Sequence, residues 1–161
     1  MDVAIIPARG GSKRIPKKNI KLFKGKPIIY WSIKTALKTN CFDRIIVSTD
    51  DDEIARVAKD FGAEVPFKRP KKLSDDFTNT KDVINHCISW LNESRYIVKN
   101  ACCIYPTAPL IFDTDIIDAK KILDSTEEEI LVFAATSFPY PIQRAIYIES
   151  VSYTHLTLPT S

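Results

Sequence analysis

Between Ile6 and Ile20 the chain sets Arg9, Lys13, Arg14, Lys17 and Lys18 around a Gly10-Gly11-Ser12 triplet, with Pro7 and Pro16 on either side. This composition makes an irregular loop, not a helix. Adjacent glycines can take backbone angles closed to other residues and bring N–H groups close to a ligand. Ser12 adds a hydroxyl and the flanking cations add charge. The chemistry expected is anion binding, with polyphosphate as guest. Two familiar phosphate loops do not fit. Neither Gly10-Gly11-Ser12-Lys13 nor Gly25-Lys26-Pro27 completes a Gly-x4-Gly-Lys-Ser/Thr loop, and no third glycine follows at dinucleotide-fingerprint spacing. Composition alone leaves a solvated basic loop equally open.

Other clusters are weaker candidates. Asp50-Asp51-Asp52-Glu53 could suggest a metal, but acids in the first turn of a helix are a common capping and dipole pattern. For Asp75-Asp76, ordering of their own loop is favoured over cation binding. His86 sits beside Cys87 in an amphipathic stretch, where a packed or surface imidazole is the common case. Cys41, Cys87, Cys102 and Cys103 form no CxxC pair, and reduced buried thiols are expected.

The 161 residues carry a net charge of +3, unevenly spread: no acid lies between Asp2 and Asp43, whereas ten of the 23 lysines and arginines do. Such a field steers a multiply charged anion toward the first loop. Nucleic acid is disfavoured, because the cations are not interleaved with aromatics and no nucleic-acid motif is present. No apolar run reaches the ~18 residues of a membrane span, and Met1-Asp2 leading into a strand does not read as a signal peptide, so a cytoplasmic location is expected.

The elements that must position these residues alternate. Strands are expected at Val3 to Ile6, Arg44 to Ser48, Glu64 to Phe67, Ala101 to Tyr105, Ile130 to Ala134 and Arg144 to Ile148. Helices are expected from Pro27 to Asn40, from an Asp50 or Asp51 cap to Gly62, over Thr80 to Asn92, and from an Asp113 or Thr114 cap onward. Ala101 to Tyr105, continuously apolar, reads as a strand buried in a parallel sheet. The fold class is α/β, with a mostly parallel sheet between two helical layers and loops converging at the strand C-terminal ends. Arg9, Asp50, Arg69 and Pro106-Thr107 all fall there.

The run Pro7-Ala8-Arg9-Gly10-Gly11-Ser12-Lys13-Arg14-Ile15-Pro16-x-Lys18-Asn19 resembles the N-terminal signature of cytidylyltransferases that activate nonulosonic acids, within the nucleotide-diphosphate-sugar transferase fold. The resemblance continues through Ile46 to Ala55, Arg69-Pro70-x-x-Leu73-Ser74-Asp75-Asp76 and Tyr105-Pro106-Thr107-Ala108-Pro109, covering roughly residues 2 to 149. It implies that the anomeric hydroxyl of the acid attacks the α-phosphate of CTP, giving a CMP-sugar and pyrophosphate with Mg²⁺ as cofactor. In that scheme Arg9 and Lys18 serve the leaving phosphates. Ala8, Gly10, Gly11, Ser12, Asn19, Arg69 and Thr80 match nucleotide-binding positions, while Tyr105, Thr107 and Arg144 match positions on the acceptor side. No residue matches a general base. The resemblance also implies a homodimer for the full-length protein.

The middle motifs narrow the acceptor. Sialic acid enzymes tend to place Gln before Pro-Thr-Ser-Pro; Tyr105-Pro106-Thr107-Ala108-Pro109 and the run Thr136 to Ile146 resemble the pseudaminic acid branch more closely. A ring with one hydroxyl in place of an amide suits a deoxygenated, more apolar sugar. N-acetylneuraminate, legionaminate and a 3-deoxy-octulosonate are the alternatives within the family, and a non-catalytic anion- or nucleic-acid-binding domain is the alternative outside it. Residues 1–150 are expected to be the N-terminal part of a single nucleotidyltransferase domain. Residues 151–161 resemble translated cloning-adapter sequence. The family's metal-holding Asp-x-Asp would lie beyond that point, so no metal ligand is assigned and the 161-residue chain is expected to be inactive.

Overall fold

The computed structural model describes residues 1–135, 146–149 and 152–155, which fall into two compact units, Met1–Ile130 and Leu131–Ser161. In the first, strand β1 (Asp2–Pro7) lies between β4 (Arg44–Ser48) and β5 (Asn100–Cys103) and runs parallel to both. Ile5 stands opposite Ile46 on one side and Cys103 on the other. A strand paired at both edges has no backbone group left for water, and Val3, Ala4, Ile5 and Ile6 are accordingly fully buried. A small hairpin, β2 (Leu22–Phe23) with β3 (Lys26–Pro27), leads into the first helix.

Side chains alternate across the sheet and define two cores. Ala4, Ile6, Ile45 and Val47 face α1 (Ile28–Thr39), α2 (Asp52–Asp60) and α4 (Asp113–Asp124), where Ile29, Ile33, Ala36, Ile54, Ala58 and Ile116 are buried. Val3, Ile5 and Ile46 face α3 (Thr80–Glu93) through Cys87 and Leu91. The result is the expected three-layer α/β arrangement.

Helix boundaries follow local chemistry. Pro27 occupies the N-cap of α1, and Asn40 ends that helix in a left-handed conformation (φ 51°). Asp51, not Asp50, caps α2, accepting from the N–H groups of Glu53 and Ile54 at 2.8 and 2.9 Å; Gly62 follows the helix at φ 91°. Asn79 caps α3 through Asp82 N–H. The expected Asp113 or Thr114 cap of α4 is absent: Phe112 holds the cap position, and Asp113 pairs with Lys38 of α1 at 2.8 Å, tying the two helices together.

Several strand expectations are corrected. Glu64 to Phe67 forms no continuous strand; single bridges link Glu64 to Ile46 and Lys68 to Thr49, and Pro66 between them cannot donate to a ladder. Strand β5 ends at Cys103 and is half covered, with Ala101 and Cys103 exposed, because among the described residues it is an edge strand. Buried thiols are therefore found at Cys87, where burial pushes the pKa up to about 12, while the thiol of Cys103 is raised by its surroundings although the residue is exposed. No strand forms over 131–134. In the second unit β6 (Ile146–Glu149) pairs antiparallel with β7 (Ser152–His155), the latter inside the stretch set aside as a tail. No described helix is long and apolar enough to cross a membrane.

The packing sets two expectations for chemical denaturation. Ile5→Ala removes a fully buried side chain from the central strand and should cost about 2–5 kcal/mol. Asp51→Ala removes one cap and should cost about 1 kcal/mol, with Asp51→Asn recovering most of it. Equal losses for the two alanine variants would contradict this division between core and cap.

Candidate functional site

A cleft of about 240 Å³ opens at the C-terminal edge of the sheet, where β1, β4 and β5 release their chains. From the first loop it is lined by Arg9, Ser12, Lys18 and Asn19; from later loops by Arg69, Thr80, Tyr105 and Thr107. Eight of the residues singled out in the sequence thus meet around one space, although they are spread over about a hundred positions.

Asn19 organises the first loop. It is only 3% exposed, and its Nδ2 donates to the Arg9 carbonyl at 2.9 Å, so the loop closes back on its own start. Its position comes from a short 3-10 turn, Lys18–Ile20, preceded by Lys17 in a left-handed conformation (φ 50°). Lys17 turns away to pair with Glu53 of α2, whereas Lys18 faces the cleft.

Gly10 and Gly11 do not play the part expected of them. Neither has a positive φ, and neither lines the cleft. Gly10 is required by contact: a Cβ there would come within 2.7 Å of Asp51 Oδ2 and 2.8 Å of Asp51 Cβ. Its N–H donates to Asp50 Oδ1 at 3.0 Å, which docks the loop on the end of β4. At Gly11 an added Cβ would meet nothing within 4 Å. Ala8 is a core residue, fully buried, with its N–H on the Ser48 carbonyl at 2.9 Å. Arg144 lies outside the described residues.

Arg69 is the most enclosed cation among the described residues, 5% exposed. Its Nη2 donates to the Ser48 carbonyl at 2.7 Å and its Nη1 to Leu73 at 3.4 Å, so one guanidinium joins the end of β4 to the following loop. Burial pushes its pKa down, Asp50 opposes that, and Arg9 adds to it. Arginine remains charged throughout. Across the cleft the Thr80 hydroxyl meets the Tyr105 hydroxyl at 3.2 Å, and Ser32 of α1 donates to the Tyr105 carbonyl at 2.8 Å.

The paired acids at 75 and 76 divide. Asp75 orders its own loop, accepting from Phe77 N–H, Thr78 N–H and the Thr78 hydroxyl at 3.1, 2.7 and 2.6 Å, which together hold its carboxyl below the usual range. Asp76 instead reaches Arg9 Nη2 at 2.8 Å and also pairs with Lys13, and these partners, Lys13 first, lower its pKa. Sequence reasoning missed this contact, because nothing in the local spacing signals a pairing across more than sixty residues. It also missed the docking role of Asp50.

Among the described residues no group of three or more His, Cys, Asp or Glu side chains could hold a metal. The two acids that line the cleft are engaged with Thr78 and with Arg9 and Lys13. That donor set does not fit a protein-held Mg²⁺.

The chain is 46% identical over 147 residues to a pseudaminic acid cytidylyltransferase of Campylobacter jejuni, a match covering 91% of this chain and 63% of that protein. It is 42% identical over 110 residues to a CMP-N,N'-diacetyllegionaminic acid synthase of Legionella pneumophila, covering 66% of this chain and 46% of that protein. The chain thus spans less than two thirds of the length of these relatives. Among solved structures, CMP:2-keto-3-deoxy-manno-octonic acid synthetase complexed with CTP aligns at a TM-score of 0.62 and 23% identity, over 77% of this chain and 47% of that one, which supports the fold. The family model described as Cytidylyltransferase matches residues 3–151, and the chain belongs to that family.

Proposed function

We propose that this chain supplies the nucleotide-binding part of an enzyme that transfers CMP from CTP to a nonulosonic acid, with pseudaminic acid the favoured acceptor. The observation that carries the reading is the convergence of Arg9, Lys18 and Arg69 on one cleft whose far wall is the Thr80–Tyr105 pair. Support for the acceptor comes from the 46% identity to a protein named for pseudaminic acid.

In this reading the reaction proceeds by in-line displacement. The anomeric hydroxyl oxygen forms a bond to the α-phosphorus and gives up its proton to water, the bond from the α-phosphorus to the bridging oxygen breaks, and pyrophosphate leaves with the electron pair. Protein groups act mainly by position and charge. Arg9 and Lys18 neutralise the departing phosphates, and Ser12 offers a further donor beside them. Asn19 holds the Arg9 backbone in place. Arg69, its Nη groups committed to Ser48 and Leu73, contributes fixed charge from beneath and keeps the loop entering the cleft rigid. Thr80 lies on the nucleotide side; Tyr105 and Thr107 form the acceptor side, to which Arg144 is also assigned. Gly10 and Ala8 serve by letting the loop pack. Magnesium accompanies CTP in the proposed reaction, although the described carboxylates do not fit it.

Calorimetry with CTP, in competition with an oligonucleotide at two salt concentrations, tests the reading. CTP should bind and resist displacement, whereas preference for the oligonucleotide with a steep loss at high salt would identify a nucleic-acid domain instead. Arg9→Ala should weaken CTP binding about tenfold to a hundredfold, the scale of losing a charge-assisted hydrogen bond, with an unchanged circular dichroism spectrum. Parent-like affinity in that variant would remove Arg9 from the site. Gly10→Ala should weaken CTP binding and also lower stability, because the new methyl pushes against Asp51; an effect on neither would contradict the close contact.

A further inference from the structure

Asp76 makes a pairing the proposed reaction does not require. Its two carboxylate oxygens are divided between two cations of the first loop, Oδ1 on Arg9 Nη2 at 2.8 Å and Oδ2 on Lys13 Nζ. Two oxygens of one phosphate would address the same two cations in the same way. Asp76 also lines the cleft itself, so the carboxylate occupies part of the volume through which Arg9 would meet a ligand.

The loop does not need this contact for its fold. Asp75 binds the Phe77 and Thr78 N–H groups, the Ser74 hydroxyl donates to the Pro70 carbonyl at 3.1 Å, and Arg69 reaches Leu73. Asp76 is left with partners from another segment only. Both ion pairs are accessible to water, and exposed pairs of this kind are weak and readily exchanged.

We propose that Asp76 is a built-in competitor for ligand phosphate: it holds Arg9 and Lys13, and a nucleoside triphosphate gains the cleft by displacing it. The inference rests on the reading of the cleft as a nucleotide site. Its consequence is selectivity. A ligand whose phosphates replace both pairings recovers what the displacement costs, whereas a ligand with no phosphate neither breaks the pairs nor benefits from their loss.

Calorimetry on the 161-residue chain and its Asp76→Asn and Asp76→Glu variants, with CTP, inorganic pyrophosphate and cytidine as probes, tests this. Asp76→Asn should bind CTP and pyrophosphate roughly threefold to tenfold more tightly than the parent, with cytidine unchanged. Asp76→Glu, which keeps the charge, should bind like the parent. In an Arg9→Ala background the gain from Asp76→Asn should shrink, since half of the competition has been removed. Equal or weaker CTP binding by Asp76→Asn, with a native circular dichroism spectrum, overturns the inference while leaving the nucleotide reading standing. Failure of CTP to bind parent and variant alike overturns both.

Discussion

A strand hydrogen-bonded on both edges and covered on both faces has no room for an unpaired polar side chain in its interior, and β1 is such a strand from Val3 to Ile6. Val3 to Ile6 are fully buried, and the chain's first charged side chain after Asp2 is Arg9, two positions beyond Pro7, the last paired residue. The neighbouring strands obey the same constraint less strictly. β4 releases Asp50 and Asp51 at its end, and β5 releases Tyr105 to Thr107 at the same edge. Parallel pairing therefore does two things at once: it builds the core and gathers the polar loops on one side.

Gathering cations creates a second problem, like-charge repulsion in a partly enclosed space. Burial pushes the Arg69 pKa down, and the nearby charge of Arg9 adds to that shift. The chain answers with carboxylates placed one by one. Asp50 sits against Arg69 and the Gly10 N–H, Glu53 takes Lys17, Asp52 takes Lys68, and Asp76 takes Arg9 and Lys13. These acids come from the turn after β4, from α2 and from the loop after Arg69, since the first loop has none of its own.

That division explains what could be read in advance. The three-layer architecture was legible because periodicity reports burial directly: Ile29, Ile33 and Ala36, or Ile54 and Ala58, repeat at helical spacing and are buried as that spacing requires. The gathering of loops followed from strand order alone. Less visible was anything decided by contacts distant in sequence. The apolar run at Ala101 to Cys103 suggested a strand covered on both faces, but coverage depends on what lies beside it, and β5 is an edge among the described residues. Gly10 suggested conformational freedom, whereas its need is steric and comes from Asp51. Ala8 sat inside a motif and proved to be core. Asp75 and Asp76 are adjacent and chemically identical, yet one orders its loop and the other crosses to Arg9, a difference set by which way successive side chains point in a turn.

The two ends of the cleft are held by different supports, and in the proposed reading this would let one scaffold accept different sugars. Arg69 is tied to the end of β4 through the Ser48 carbonyl, and Arg9 to the loop after Arg69 through the Asp75 carbonyl and the Asp76 carboxylate. Tyr105 is fixed from elsewhere: the buried Ser32 hydroxyl on α1 donates to its carbonyl oxygen, a contact that ignores the side chain. The ring of Tyr105 is itself 56% exposed and meets the protein chiefly through the Thr80 hydroxyl. Replacing that ring would therefore leave no hole in the core and would not loosen the backbone that presents it. A position anchored by its main chain and open at its side chain is free to change, while the opposite end of the cleft, locked by buried Asn19 and Arg69, is not.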